Sequence, residues 1–152
     1  MRKAVFLDRD GVINIEKKYV YRIGDFTFIR GIFKLCRHYQ QNDYLIFVVT
    51  NQAGIARKIY SENDFLTLTD WMTQKFKDKG VSITKVYYCP HHPEFTGTCS
   101  CRKPAPGLLL KAAEEFNLDL SNSILIGDKE SDLQAGHNAG VKYCINVRDL
   151  VF

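Results

Sequence analysis

This sequence predicts a three-layer α/β/α sandwich around a mostly parallel five-stranded sheet, on three observations. Five short apolar runs, at residues 4–7, 44–49, 86–89, 124–126 and 143–147, are β-branched or aromatic and do not alternate with polar residues. Strands buried on both faces read this way. Amphipathic stretches of helical period separate the runs, as right-handed crossovers between parallel strands require. Polar and charged residues then gather just after four of the five runs, where open parallel sheets keep their ligands.

Taken in order, the first run is followed by a helix over 31–41, with Ile32, Phe33, Leu35, Cys36 and Tyr39 on one face. After the second run, Ser61-Glu62-Asn63-Asp64 reads as a helix N-cap. Phe65, Leu68, Met72 and Phe76 continue it at helical spacing, and Gly80 stops it. The third run enters a segment, 89–101, in which Pro90, Pro93 and Gly97 predict a loop without helix or strand. Pro106 suits the first turn of a helix over 107–116. The fourth run leads to a short helix over 132–139, closed by Gly140. No repeat or linker interrupts this rhythm, so residues 1–152 are expected to form a single domain.

Composition excludes several classes. The chain has 152 residues, 45% hydrophobic and 25% charged, as in ordinary globular proteins. Net charge is +4 with no block of Lys or Arg, so no nucleic-acid partner is expected. The longest apolar run, 45–49, is too short to span a membrane. Asp8 comes too early for a signal peptide, which makes the cytoplasm the expected location. The cysteines are odd in number, Cys36, Cys89, Cys99, Cys101 and Cys144, which argues against a disulfide framework.

The strand ends carry the chemistry. Asp8 and Asp10 stand two apart after the first run, and carboxylates so close repel unless a cation or a shared proton holds them. Asp128, after the fourth run, supplies a third acid, and together they make a hard oxygen site suited to Mg²⁺. Thr50 offers a hydroxyl to a phosphoryl oxygen, and Lys103 a compact positive charge. These are the parts of a phosphoryl-transfer site. Separately, Cys89, His91, Cys99 and Cys101 place four soft ligands within thirteen residues, a set suited to structural tetrahedral Zn²⁺. His92 competes with His91 for that role, and strand alternation favours His91, leaving His92 to face the active site.

Four ordered motifs, Asp8-Arg9-Asp10-Gly11-Val12, Thr50-Asn51-Gln52, Lys103-Pro104 and Gly127-Asp128-Lys129-Glu130-Ser131-Asp132, resemble those of the haloacid dehalogenase (HAD) phosphatases. The resemblance runs from Lys3 to Val147 and implies a HAD-like, Rossmann-like fold. It implies that Asp8 is the nucleophile, forming an aspartyl-phosphate, and that Asp10 protonates the leaving oxygen and then activates water. Thr50 and Lys103 would hold the phosphoryl group. Asp8, the backbone carbonyl of Asp10, and Asp128 would hold Mg²⁺. The intervals 10–50 and 50–103 have no room for an inserted cap domain. The run from Tyr87 to Glu94 with Cys99, Cys101 and Arg102 is similar to the zinc-bearing capless branch of that family, whose members hydrolyse heptose bisphosphate or histidinol phosphate.

Within that branch, Thr50-Asn51-Gln52-Ala53-Gly54-Ile55-Ala56-Arg57, Asp70-Trp71-Met72 and Lys129 are closer to the heptose enzymes. They imply removal of the 7-phosphate of D-glycero-D-manno-heptose 1,7-bisphosphate, a precursor of the lipopolysaccharide core. The short interval between His91 and Cys99 departs from those enzymes. The expected substrate contacts are Glu16, Lys17, Lys18, Tyr19, Asn51, Gln52, Ala53, Arg57, Arg102 and Lys129. Cations in this set suit a doubly anionic sugar. Histidinol phosphate, whose ammonium would look to Glu16, stands as the alternative, and a nonenzymatic anion-binding module as another. A monomer acting on a small phosphorylated sugar, with no membrane partner, completes the expectation.

Overall fold

The computed structural model describes residues 1–150. Its strands are β1 (Ala4–Leu7), β2 (Leu45–Asn51), β3 (Ile83–Cys89), β4 (Ile124–Gly127) and β5 (Tyr143–Asn146). The helices are α1 (Ile32–Gln41), α2 (Ala53–Ala56), α3 (Glu62–Asp78), α4 (Pro93–Thr96), α5 (Gly107–Phe116) and α6 (Glu130–Ala139). Every strand pairing is parallel, in the order β3-β2-β1-β4-β5. The chain builds outward from β1 to one side and then returns to its other side. The topological switch point therefore lies between β1 and β4, where such sheets open a crevice at their carboxyl ends.

The two faces of the sheet are covered by separate cores. Val5, Leu7, Ile46, Val48 and Ile126 point to one face, against Ile32 and Cys36 of α1 and Leu68, Met72 and Phe76 of α3. Phe6, Phe47, Val49, Tyr87 and Leu125 point to the other, against Leu108, Leu109 and Ala112 of α5 and Ala135 of α6. Successive strand residues thus serve opposite layers, which is why the runs show no polar alternation. Trp71 packs at the rim of the first core, edge-on to Phe26 and against Phe28. Cys36 is a core filler there, and Cys144 sits partly buried over Gly136.

The capping signals act as their chemistry dictates. Ser61 Oγ accepts from the Asp64 amide at 3.0 Å while Asp64 Oδ2 accepts from the Ser61 amide at 3.0 Å, closing a capping box on α3. Gly140 ends α6 in the left-handed region at φ +86°.

Several boundaries differ from the sequence reading. β2 runs through Thr50 and Asn51, and β3 begins three residues earlier than the apolar run, because parallel pairing with β2 extends it. Pro106 is the N-cap of α5, not its first-turn residue, and α6 begins at Glu130, one turn ahead of its apolar positions. Val147 leaves β5 for a 3-10 turn.

The segment 89–101 is not free of helix. Pro93 opens the one-turn α4, a position where its missing N–H leaves nothing unpaired. His92 caps that turn, its Nδ1 accepting from the Glu94 amide at 3.1 Å, and it packs edge-to-face with Phe95. This occupies the ring that sequence reasoning had turned toward the active site.

Candidate active site

The crevice beyond β1 and β4 is an open cavity of about 470 Å³. Asp8 leaves the end of β1 and is 7% exposed. Lys103 Nζ lies between two carboxylates, 2.9 Å from Asp8 Oδ1 and 2.7 Å from Asp132 Oδ1. The Lys103 amide donates to Asn51 Oδ1 at 3.1 Å, tying the lysine's backbone to the end of β2. The Lys103–Pro104 peptide is cis. Asp132 is the member that sequence reasoning left out of the site. It stands in the first turn of α6, four residues after Asp128, and its Oδ2 accepts from the amides of Asp128 and Lys129.

Oxygens of Asp8, Asp128 and Asp132 come within 4.8 Å of one another. With Lys103 among them, three carboxylates and one ammonium leave two negative charges in excess. The strain of that excess is visible in their ionisation. Burial, opposed by Lys103 and reinforced by Asp132 and Asp10, pushes Asp8 up to about 7. Burial likewise raises Asp128. Asp132 is buried too, yet Lys103 and the two amides hold it below the usual carboxylate range. Asp128 Oδ1 is buried with no hydrogen-bond partner. A divalent cation on Asp8 and Asp128 would balance the charge and satisfy that oxygen, so these residues fit Mg²⁺. Gly11, at φ +93°, has no Cβ to collide with Asp128 Oδ2, which makes the approach of β4's acid to β1 possible.

Asp10 is held from three sides. Its Oδ1 accepts from Arg9 Nη2 and Asn14 Nδ2, each at 3.0 Å, and its Oδ2 from Gln52 Nε2 at 3.3 Å. Arg9 is 2% exposed, lies between Phe26 and Phe65, and also donates to the Val20 carbonyl. Neither Arg9 nor Asn14 stood out in the sequence: each is one polar residue in a loop, and only the fold turns it inward. Thr50 is fully buried and does not line the cavity; its hydroxyl accepts from Gln52 Nε2 at 3.0 Å.

The substrate residues are brought together in large part. Glu16, Lys17, Lys18, Tyr19, Asn51, Gln52, Ala53, Arg102 and Lys129 all line the cavity. Glu16 and Lys129 pair with each other across the mouth at 3.1 Å. Arg102 Nη1 donates to the His91 carbonyl at 3.4 Å. Arg57 is the exception: it lies outside the cavity wall with its guanidinium over Phe95.

Beside the cavity, Cys89 Sγ, His91 Nδ1, Cys99 Sγ and Cys101 Sγ also converge within 4.8 Å. Cys101 Sγ is 2.7 Å from Cys89 Sγ, and His91 Nδ1 is 3.2 Å from Cys101 Sγ. Burial raises the Cys89 and Cys101 thiols. Burial opposes ionisation of Cys99 as well, but the amides of Arg102 and Cys101 draw it down to about 6. Three sulfurs and one imidazole in this contact are a donor set for a soft or borderline cation. The loop they close is seated on α5: the Gly107 amide donates to the Ser100 carbonyl at 3.0 Å, and a Cβ on Gly107 would meet that oxygen at 2.2 Å.

Comparison with known proteins agrees with this geometry. A family model for HAD-hydrolase-like proteins matches residues 100–147. The chain is 54% identical over 147 residues, 97% of its length and 83% of the relative's, to D-glycero-alpha-D-manno-heptose-1,7-bisphosphate 7-phosphatase of Campylobacter jejuni. It is 45% identical over 150 residues, 95% of its length and 80% of the relative's, to D-glycero-beta-D-manno-heptose-1,7-bisphosphate 7-phosphatase of Yersinia pestis. Among solved structures, D,D-heptose 1,7-bisphosphate phosphatase from B. bronchiseptica, complexed with magnesium and phosphate, superposes with a TM-score of 0.85. That match has 30% identity and covers 95% of this chain and 78% of the other.

Proposed function

The chain belongs to the family of the D-glycero-D-manno-heptose-1,7-bisphosphate 7-phosphatases, HAD-like phosphoric monoester hydrolases, and we propose that it removes the 7-phosphate of that bisphosphate. The observation that carries this reading is Asp8, buried at the end of β1 beside Lys103 and opening onto a cavity lined with further cations. An Asp8 oxygen attacks phosphorus and the sugar C7 alkoxide leaves. Asp10 gives that oxygen its proton, and the aspartyl-phosphate forms. Asp10 then takes a proton from water as it attacks phosphorus, releasing phosphate and restoring Asp8. Lys103 holds the transferring phosphoryl oxygens, with Thr50 behind Gln52. Asp8, Asp128 and the Asp10 carbonyl would hold Mg²⁺, which when bound would neutralise charge on the phosphoryl group.

Arg102, Lys18 and Lys129 are proposed to serve the sugar and its remaining phosphate. Glu16, the carboxylate that would face the ammonium of histidinol phosphate, is paired with Lys129 instead. The α anomer is favoured by the relative with the higher identity. Zn²⁺ on Cys89, His91, Cys99 and Cys101 is proposed as structural, since four protein ligands leave no open position. The scheme is proposed for a monomer, with loops over 14–24 and 53–60 in place of a cap. Reduced thiols at the metal loop go with a cytoplasmic location.

Turnover of both heptose bisphosphate anomers, fructose 1,6-bisphosphate and histidinol phosphate with Mg²⁺ tests the reading. A preference for the heptose substrate by at least tenfold is expected. A preference for histidinol phosphate would replace it with the alternative.

A further inference from the structure

Tyr60 has no place in the scheme above, yet it is built into the same site. It is 7% exposed, with its ring stacked on Tyr21 at 5.1 Å between centroids. The ring rests where a Cβ on Gly54 would be, 2.1 Å from Cε1, so α2 must carry glycine there for the tyrosine to fit. Its hydroxyl donates to Gln52 Oε1. Gln52 is itself fixed, with its backbone amide on the Cys89 carbonyl at 2.8 Å. With Oε1 taken, both Nε2 protons must point the other way, one to Thr50 Oγ1 at 3.0 Å and one to Asp10 Oδ2 at 3.3 Å. Asp10 Oδ1 is already occupied by Arg9 and Asn14, so Oδ2 is the oxygen available to exchange a proton with substrate.

From this chain of contacts we infer that Tyr60 is a positioning residue: by fixing which way the Gln52 amide faces, it aims Asp10 Oδ2 at the leaving oxygen. The inference rests on the acid role proposed for Asp10. Burial keeps the phenol un-ionised, with its pKa pushed up to about 12, so it remains a donor at any working pH. Without it, the Gln52 amide can turn over and present its carbonyl to the Asp10 carboxyl. That orientation competes for the proton which the leaving group needs.

Tyr60→Phe deletes one oxygen and leaves the packed ring. Its effect is read as kcat/KM with Mg²⁺ for two leaving groups, heptose bisphosphate and p-nitrophenyl phosphate. A sugar alkoxide needs a proton to depart, and nitrophenolate does not. The expected loss is about tenfold for the sugar, part of the ~10²–10⁴ a positioned acid contributes, and under about twofold for the aryl ester. In a Gln52→Leu background the further change Tyr60→Phe should cost nothing.

Equal losses on the two substrates, no loss on either, or additive losses in the double variant would overturn the inference. Asp10→Asn separates this from its premise. It should show the same split in larger measure. If Asp10→Asn lowers both substrates alike, the acid role falls and the inference with it; if only Tyr60→Phe lacks the split, the acid role stands and the inference alone fails.

Discussion

The carboxylate centre and the thiol centre lie side by side, joined by Arg102 and Lys103, and they are made in opposite ways. Asp8, Asp128 and Asp132 are carried on strand ends and on the first turn of a helix, with Phe6, Leu7, Leu125 and Ile126 buried behind them. The sheet fixes them whether or not a cation is present, and Lys103 offsets part of their repulsion. Of the four ligands at the thiol centre, only Cys89 rises from a strand. The other three hang on a segment with almost no buried apolar residue, where α4 is a single turn and Phe95 is 53% exposed. The first centre is prepaid in hydrophobic burial; the second must be held by whatever its ligands grip. Under the proposed function, the first reacts and the second holds the neighbouring chain in register.

Measurements at both centres would break or sharpen that contrast. Asp8→Asn should lower turnover by at least about 10³-fold with an unchanged far-UV spectrum, since the amide cannot attack phosphorus and the sheet does not depend on the side chain. Residual activity within tenfold of wild type would remove the nucleophile from the account. Asp132→Ala should lower global stability by about 2 kcal/mol in urea unfolding, because losing the hydrogen bonds from Lys103 and from the Asp128 and Lys129 amides outweighs the repulsion it relieves on Asp8. A change below 1 kcal/mol would mean that the carboxylate centre is not held by its ion pairs.

Arg102→Ala tests the junction. It should cost about 2 kcal/mol in kcat/KM for the bisphosphate, the scale of a charge-assisted hydrogen bond, and much less for a small monophosphate. Lys103→Ala should hurt both substrates alike. Chelation should then act locally. Metal analysis of fresh protein is expected to find about one zinc per chain. Its removal should abolish amide-exchange protection at 90–102 and reduce activity about tenfold through displaced Lys103, while β1, β2 and β4 stay protected. Loss of protection throughout the sheet would erase the distinction between the centres.

The smallest effect is a site preference. In chelated protein, Cys99 should alkylate before Cys89 and Cys101. Its pKa is lowered to about 6, so its thiolate fills as pH rises through that value, while the other two thiols remain protonated at neutrality. Equal labelling of all three at pH 7 would contradict the hydrogen-bond pattern around Cys99.

Most of the architecture could be read from the chain because both of its periodicities are strong. The five runs became the five strands, and Phe65, Leu68, Met72 and Phe76 became the buried face of α3. The convergence of Asp8, Asp128 and Lys103 was legible for the same reason: their placement depends on topology, which the runs reveal. Residues whose role depends on one side-chain torsion were not. Asp132 could have been suspected from its spacing to Asp128. Arg9, Asn14 and Tyr60 could not, since nothing local distinguishes a loop polar group that turns inward from one that stays in water. The misplacement of His92 and Arg57 has the same origin, because α4 offered each a partner that spacing alone does not foresee.

The insertion of β4 beside β1, described above as a matter of strand order, also sets a timetable for synthesis. Asp8 leaves the ribosome 120 residues ahead of Asp128, an interval of roughly 6–24 s at ~5–20 residues per second. Until then β1 has one uncovered edge, open to stray pairing with any other strand. The same event closes that edge and delivers the last two acids of the centre. A nascent chain therefore displays Asp8 without the two acids that complete its site, and completes the site only when its most vulnerable edge has been sealed.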